Sequence, residues 1–442
     1  MQSSHRSYLF LLLIHLGIGV GVFAFRPLSK LYFVSILAFG LYRILKSSKD
    51  NRVYMVLSST AYLIGAEVFL RMTGGNIGYE SGKYAVMGFM LLGLLLDRQF
   101  YKGSLMYLFY LFLLIPGIIV ATQTLNFDTV FRKAIAFNLS GPVTIGLVGL
   151  FCFNRRLAYK QFLDVLLFIG MPIISMTTYL FLYTPSIKSV LSGTGSNFAA
   201  SGGFGPNQVA TILGLGMFIF VVRFFMTSKN LFLKLINLFL ISAIGFRGIV
   251  TFSRGGILTG LMMILLFLGI YFLRLKSNLK GRLIAYIGII ALGAIFTWTV
   301  SSSSTDGLID KRYTNQDATG KEKSDVSTGR SSLFLFEFEA FKEHPVFGVG
   351  VGKLKELRFE KEGKKAASHN EMSRILGEHG SFGLVAFLIL LLTPIVYRLE
   401  NNQNIFAYSF LVFWLLTINH SAMRIAAPAF LYGFSVLRLE LK

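Results

Sequence analysis

The sequence predicts an all-α membrane protein that crosses the bilayer many times, with about 12–14 transmembrane helices and one long loop carrying short helices. Three observations predict it. Of 442 residues, 54% are apolar and only 14% charged, against roughly 25% charged in soluble domains. The mean hydropathy is +0.63. The apolar residues come in unbroken runs, as at 105–121 and 257–273, where a membrane β-barrel would alternate in segments of about ten residues. A soluble enzyme and a barrel are both excluded.

A spanning helix needs about 20 mostly apolar residues. Windows of this kind lie at 8–25, 31–47, 53–72, 83–97, 104–121, 134–153, 162–184, 208–226, 231–250, 255–273, 283–301, 381–397, 405–421 and 425–438. The run at 83–97 is short, and the last two windows can form one re-entrant pair. The first window follows Arg6, and no small-residue cleavage site precedes Arg26 and Pro27, so an uncleaved first span is expected. Residues 1–301 then hold spans one to eleven, 302–380 the hydrophilic loop and 381–442 the C-terminal spans. With no repeat at a fixed period, a single membrane domain is expected.

The chain carries 43 Lys and Arg against 21 Asp and Glu, a formal +22. These charges are scattered between apolar runs rather than gathered in one patch, which suits topology signals and anionic lipid, and leaves room for an anionic substrate. Nucleic acid is not expected as a partner. With the N-terminus cytoplasmic, the inner segments hold about twice as many basic residues as the outer ones. That orientation puts the long loop outside the cytoplasm, away from ATP. Cys152 is the one cysteine and lies in an apolar run, so neither an intrachain disulfide nor a thiolate metal site is available. No metal and no cofactor are expected.

Within the loop, 301–329 is rich in Ser, Thr, Asp and Lys and reads as flexible. The stretch from Arg330 through Leu333, Phe334, Phe336, Phe338 and Phe341 reads as a helix on the membrane surface or packed on the bundle, ended by Pro345 and by Gly348, Gly350 and Gly352. The succession Ser368-His369-Asn370-Glu371 contains a Ser-x-x-Glu capping box, which places His369 in the first turn of a helix. The dipole there disfavours an imidazolium, and a neutral imidazole can take a proton from a hydroxyl. The plainer alternative is a surface residue without chemistry.

Arg247 and Arg254 flank a junction between spans in GFRGIVTFSRGG. If that segment is helical, a spacing of seven puts both on one face. A guanidinium is a planar fork of donors matched to phosphate oxygens, although ordinary snorkelling at a membrane boundary also explains such residues. Thr328-Gly329-Arg330 and the Gly-x-Gly at 348–350 lack a preceding strand and a Walker lysine, so the glycines are expected in tight turns rather than at a nucleotide. His344 is expected to cap its helix. His379 shares a face with His369 only if their helix continues, and His420 with Arg424 either supports a site or snorkels. Glu67 and Arg71, four apart, are expected as a structural ion pair, and the 44 phenylalanines as core or lipid-facing.

Taken in order, Ser253-Arg254-Gly255-Gly256, Gly329-Arg330, His344-Pro345-x-x-Gly348-x-Gly350, His369-Asn370 and Glu378-x-Gly380-x-x-Gly383 resemble the bacterial O-antigen ligase and polymerase superfamily. Gly205-Pro206-Asn207, opening a span, resembles another of its recurring features; Phe334 stands where the family often has tryptophan. The resemblance covers about 180 residues; the first 200 add only hydropathy. It implies a metal-independent glycosyltransferase of the inner (cytoplasmic) membrane. Its donor would be an undecaprenyl-diphosphate-linked glycan, and the hydrophilic loop would be periplasmic. The acceptor hydroxyl would belong to a glycan, to lipid A-core or to a protein. It further implies that Arg254 and Arg247 meet the diphosphate, that Arg330 meets the diphosphate or sugar, and that His369 is the general base. Asn370 and Glu378 would orient it, with Asn207 and Arg424 in the substrate-binding set. Polymerase and ligase share these motifs. The competing reading is a transporter or flippase of lipid-linked glycans, for which paired broken helices in two related halves would be expected.

Overall fold

In the computed structural model, residues 5–323, 329–363, 368–421 and 423–440 are described. The helices in chain order begin with α1 (His5–Ala24), α2 (Leu28–Leu45), α3 (Arg52–Thr73), α4 (Ser81–Asp97), α5 (Leu105–Leu113) and α6 (Ile115–Thr124). They continue with α7 (Phe131–Cys152), α8 (Tyr159–Tyr183), α9 (Pro206–Met226), α10 (Leu231–Ile249), α11 (Arg254–Arg274) and α12 (Ser277–Ser304). The short helices α13 (Leu308–Tyr313), α14 (Arg330–Glu343) and α15 (Lys353–Glu362) precede α16 (Glu371–Glu400), α17 (Ala407–His420) and α18 (Ala427–Phe434). Among the described residues, eleven helical segments are long and apolar enough to cross a membrane, with α5 and α6 counted as one span. The chain is an all-α polytopic membrane protein.

The windows at 83–97, 405–421 and 425–438 fall on helices of 17, 14 and 8 residues, which are not among the eleven spans. Every residue of α18 is buried. Hydropathy alone does not separate a short helix enclosed by protein from one enclosed by lipid.

Packing divides the chain into two compact units that interleave in sequence: Met1–Tyr79 with Ala158–Ser324, and Glu80–Leu157 with Asp325–Glu440. In the first unit, α9 packs on α11 through glycines. A Cβ on Gly214 would lie 2.4 Å from the Gly256 carbonyl oxygen, and one on Gly260 would lie 2.6 Å from that of Gly214. Small residues at such a contact let two apolar helices approach closely where no hydrophobic force drives them together. Glu67 and Arg71 form the expected pair at 2.8 Å, both buried, with the Tyr79 ring 4.8 Å from the guanidinium.

Two expectations are corrected in this unit. The segment GFRGIVTFSRGG is not one helix: α10 stops at Ile249, Phe252 takes φ +59°, and α11 starts afresh at Arg254. Within 301–329, the described stretch 301–323 is folded. Ile309 of α13 is fully buried with Phe252 and Ile257, Trp298 Nε1 donates to Asp310 Oδ1 at 2.9 Å, and Lys323 Nζ donates to Thr194 Oγ1 at 2.8 Å. With Ile309 the one buried apolar side chain of 301–323, there is no periodicity to read.

In the second unit the helix α16 is broken. Gly380 adopts φ 60°, ψ −136°, so the helix has a first half up to His379 and a second half from Ser381. The segment after α14 lies in the break as a strap. Ser381 N donates to Pro345 O at 2.7 Å, Val349 N to Gly377 O at 2.9 Å, and Gly350 N to Glu378 O at 3.1 Å. The strap is also tied to α6, with Val351 N donating to Gly117 O at 3.0 Å and Thr124 Oγ1 to Val349 O at 2.9 Å. Gly348 has φ +70°, and a Cβ there would lie 2.5 Å from His379 N. The two glycines border turns rather than forming one between them: Gly348 N donates to His344 O at 3.1 Å, and Gly350 O accepts from Lys353 N at 3.2 Å.

Candidate active site

The head of α16 organises the second unit. Asn370 is its cap, its Oδ1 accepting from Met372 N at 2.9 Å and Ser373 N at 3.3 Å. The capping box expected from Ser368 is therefore corrected. Ser368 instead closes a small turn, its Oγ accepting from Asn370 N at 3.2 Å and donating to Asn370 O at 2.8 Å. Either residue type can cap, and Asn370 stands one residue before the first turn. His369 sits just before the cap and is half-buried. Burial, and then the cations Arg424, Arg330 and Arg358, lower its pKa from 6.5 to about 4, so the imidazole is neutral at pH 7. Arg424 is fixed against this turn, its Nη2 donating to Ser368 O at 3.0 Å, and Arg330 opens α14. Thr328, part of the same motif, lies outside the described residues.

Beneath His369 is a buried charge network that the sequence motifs did not reveal. Arg374 pairs with Glu371, with Glu378 at 2.5 Å, and donates to Asn138 O of α7 at 2.8 Å. The second oxygen of Glu378 accepts from Gly352 N at 2.8 Å. Glu378 therefore links α16 to the strap. Glu337 of α14 accepts from Ser373 Oγ and faces Arg358 at 3.5 Å, and burial holds its pKa above the usual carboxylate range. The available signal was the spacing Glu371, Arg374, Glu378, which puts an arginine between two acids on one helical face.

A cavity of about 650 Å³ opens beside this network. Its basic side chains are Lys83, Lys133, Lys355, Arg358, Arg374 and Arg424; its acidic ones are Asp128, Glu337, Glu356, Glu360, Glu371 and Glu378. Ser368, the neighbour of His369, is also in its wall.

His344 forms the C-cap of α14 as expected. His379 is fully buried against α6, where a Cβ on Gly117 would lie 2.3 Å from its Nδ1, and neither ring nitrogen has a hydrogen-bond partner among the described residues. His420 Nδ1 is bonded to Leu416 O at 2.8 Å.

In the first unit, Asn207 Oδ1 accepts from Ser253 Oγ at 2.7 Å, joining the starts of α9 and α11. Arg254 begins α11 and donates to Arg312 O at 3.3 Å, while Arg312 Nε donates to Phe252 O at 3.0 Å and holds the strained turn. Arg247 is 1% exposed. Its guanidinium donates to Thr184 O at 3.3 Å and Ala200 O at 2.8 Å, against the Phe181 ring. It ties the loop after α8 to α10. Among the described residues no three His, Cys, Asp or Glu side chains form a metal-binding set.

Residues 238–388 match the family model described as O-antigen ligase. That segment of the chain is similar to the O-antigen ligase family. No curated protein matches the chain. The matched segment contains Arg247, Arg254, Arg330, His369, Asn370 and Glu378, whereas Asn207 and Arg424 lie outside it. Of these, the second unit gathers Arg330, His369, Asn370, Glu378 and Arg424 around the start of α16, and the first unit joins Asn207 to the turn that carries Arg254.

Proposed function

We propose that the chain is a glycosyltransferase of the bacterial inner membrane. It moves a glycan from an undecaprenyl-diphosphate-linked donor to an acceptor hydroxyl on the periplasmic side, without metal. The observation that carries this reading is a neutral His369 set among Arg330, Arg424 and Arg358 within a family of lipid-linked glycan enzymes. His369 takes the proton of the acceptor hydroxyl, and that oxygen attacks the anomeric carbon of the donor sugar. The carbon–oxygen bond to phosphate breaks, and the diphosphate leaves with its charge matched by Arg330 and Arg424. Attack opposite the leaving group inverts the anomeric centre.

Asn370 and Glu378 act by position: one caps the helix behind His369, the other braces it to the strap. Arg254 is assigned to the donor's anionic group as a separate proposal, tested by Arg254→Ala. Arg247, bonded to two main-chain carbonyls, is assigned to holding the 184–200 loop.

Removal of a general base typically slows turnover about 10²–10⁴-fold, and His369→Ala is expected to do so while still inserting. The size distribution of undecaprenyl-linked glycans in a strain lacking the gene tests the activity. Accumulated single repeat units identify a polymerase, and long lipid-linked chains that never reach an acceptor identify a ligase. An unchanged distribution, or His369→Ala protein with wild-type turnover, refutes the proposal.

A further inference from the structure

We infer that the cavity beside Ser368 is a saccharide subsite, binding uncharged sugar residues of the glycan whose bond is made or broken at His369. The inference rests on the glycosyltransferase reading and names the part of the substrate that the reading leaves unplaced.

The volume, about 650 Å³, falls in the range of roughly 300–1,000 Å³ usual for small-molecule pockets. Charge decides the kind of occupant. The six basic side chains in the wall are matched by six acidic ones, and the buried ones are already committed. Lys83 pairs with Glu80 at 2.7 Å, Arg358 faces Glu337 at 3.5 Å, and Arg374 holds Glu371 and Glu378. A wall with no excess of either sign gives little attraction to a diphosphate away from its Arg424 end. It does offer fixed donors and acceptors side by side, which is what the hydroxyls of a sugar ring require. The wall also carries two aromatic rings, Phe137 and Phe359, at 39% and 45% exposure. A large exposed ring beside polar groups gives the apolar face of a pyranose a surface to lie on.

The position fits the chemistry at His369. Ser368 belongs both to the cavity wall and to the turn carrying His369, and Arg424, also in the wall, donates to Ser368 O. A sugar held in the cavity thus lies against the segment that presents the base.

Two sources supply this ligand chemistry: the end of the acceptor glycan and the first sugars of the donor. The test uses full-length protein in nanodiscs with Phe359→Ala, Phe137→Ala and the conservative Phe359→Trp. These rings are exposed and form no part of the base or the arginine set. The probe is the oligosaccharide released by mild acid from the lipid-linked pool of the source strain, followed by saturation-transfer NMR. Wild-type and His369→Ala protein should both show transfer to the sugar. Each alanine variant should weaken binding about tenfold, the upper range for loss of one aromatic contact, and Phe359→Trp should restore it. In turnover assays, a higher KM for acceptor alone assigns the site to the acceptor, and a higher KM for the lipid-linked donor assigns it to the donor sugars. Undiminished binding and unchanged KM values in both alanine variants overturn the inference, as does wild-type protein that turns over yet shows no saturation transfer. Sugar binding in the cavity by a protein that transfers nothing would leave the subsite standing and refute the proposed activity.

Discussion

The acid limb of the pH–rate profile follows directly from the surroundings of His369. With a pKa of about 4, about one imidazole in a thousand is charged at pH 7, whereas an ordinary histidine at 6.5 would be charged in about one molecule in four. The lowered pKa means that the neutral, active form is complete above it and is lost as pH falls through it. Initial rates at low donor concentration give kcat/KM, which reports the free enzyme; this quantity should be flat from about pH 5 to 8 and half-lost near pH 4. Burial is the largest cause of the shift and Arg424 the next. Arg424→Gln removes one repelling cation and leaves the burial, so its limb should lie above that of the wild type and still below 6.5. Under donor saturation, the bound diphosphate opposes the same arginines, so the limb in kcat should lie above the limb in kcat/KM. A wild-type limb at the ordinary histidine value, or one unmoved in Arg424→Gln, would refute the reasoning. So would a limb that persists in the residual rate of His369→Ala.

Arg374→Met leaves Glu371 and Glu378 buried without their cation, an arrangement that costs about 3–5 kcal/mol; the apparent Tm in detergent should fall sharply and recover in part when Glu378→Gln is added. Gly380→Ala places a Cβ 2.5 Å from Val346 O at a φ of +60°, a backbone region costing a side chain about 1–3 kcal/mol before any clash. Its Tm should drop, while Gly88→Ala, which meets nothing within 4 Å, should leave Tm unchanged or higher. Asn207→Ala removes the acceptor of the Ser253 hydroxyl and should lower stability by about 1 kcal/mol, a small shift in the same melting assay.

The fold class was legible because composition and run length report the solvent of a helix directly. Helix α14 was legible in extent but not in face. Its phenylalanines suggested a helix on the membrane surface or packed on the bundle without saying which side packs; the residues buried are Glu337 and Ala340, while Phe334 and Phe338 stack with their centroids 6.1 Å apart at partial exposure. In a membrane protein the lipid takes apolar side chains and the protein interior takes paired charges, so apolar pattern does not mark the packed face. Within the site, His369, Arg330 and Arg424 stood out as residue types at helix ends. Arg358 and Glu337 did not, because their meaning lies in pairing between α14, α15 and α16, separations that no local spacing encodes, whereas Arg374 stood in a local spacing with Glu371 and Glu378 that the motifs passed over. Arg247 shows the converse. Its type and place suggested an anion site, and only the Thr184 and Ala200 carbonyls show where its Nη1 and Nη2 donors go.

The two glycine motifs that carry the resemblance in the last third of the chain have one physical meaning between them. A break in an apolar helix frees main-chain N–H and C=O groups, each costing several kcal/mol where water cannot reach them. At Gly380 those groups are met by the strap. Ser381 N turns to Pro345 O, and the Gly377 and Glu378 carbonyls accept from Val349 N and Gly350 N. The approach leaves no space for a Cβ on Gly348 or Gly380, and Glu378 closes the far side by accepting from Gly352 N. His344-Pro345-x-x-Gly348-x-Gly350 and Glu378-x-Gly380-x-x-Gly383 are thus the two halves of one joint. Its effect is to fix the first half of α16 independently of the second. That half carries Asn370 at its cap and His369 just outside it, so the joint sets where the imidazole is presented. Substitutions in either motif should therefore act on activity through the placement of His369, with the acid limb of the pH profile displaced, rather than by removing a group that touches the reacting atoms.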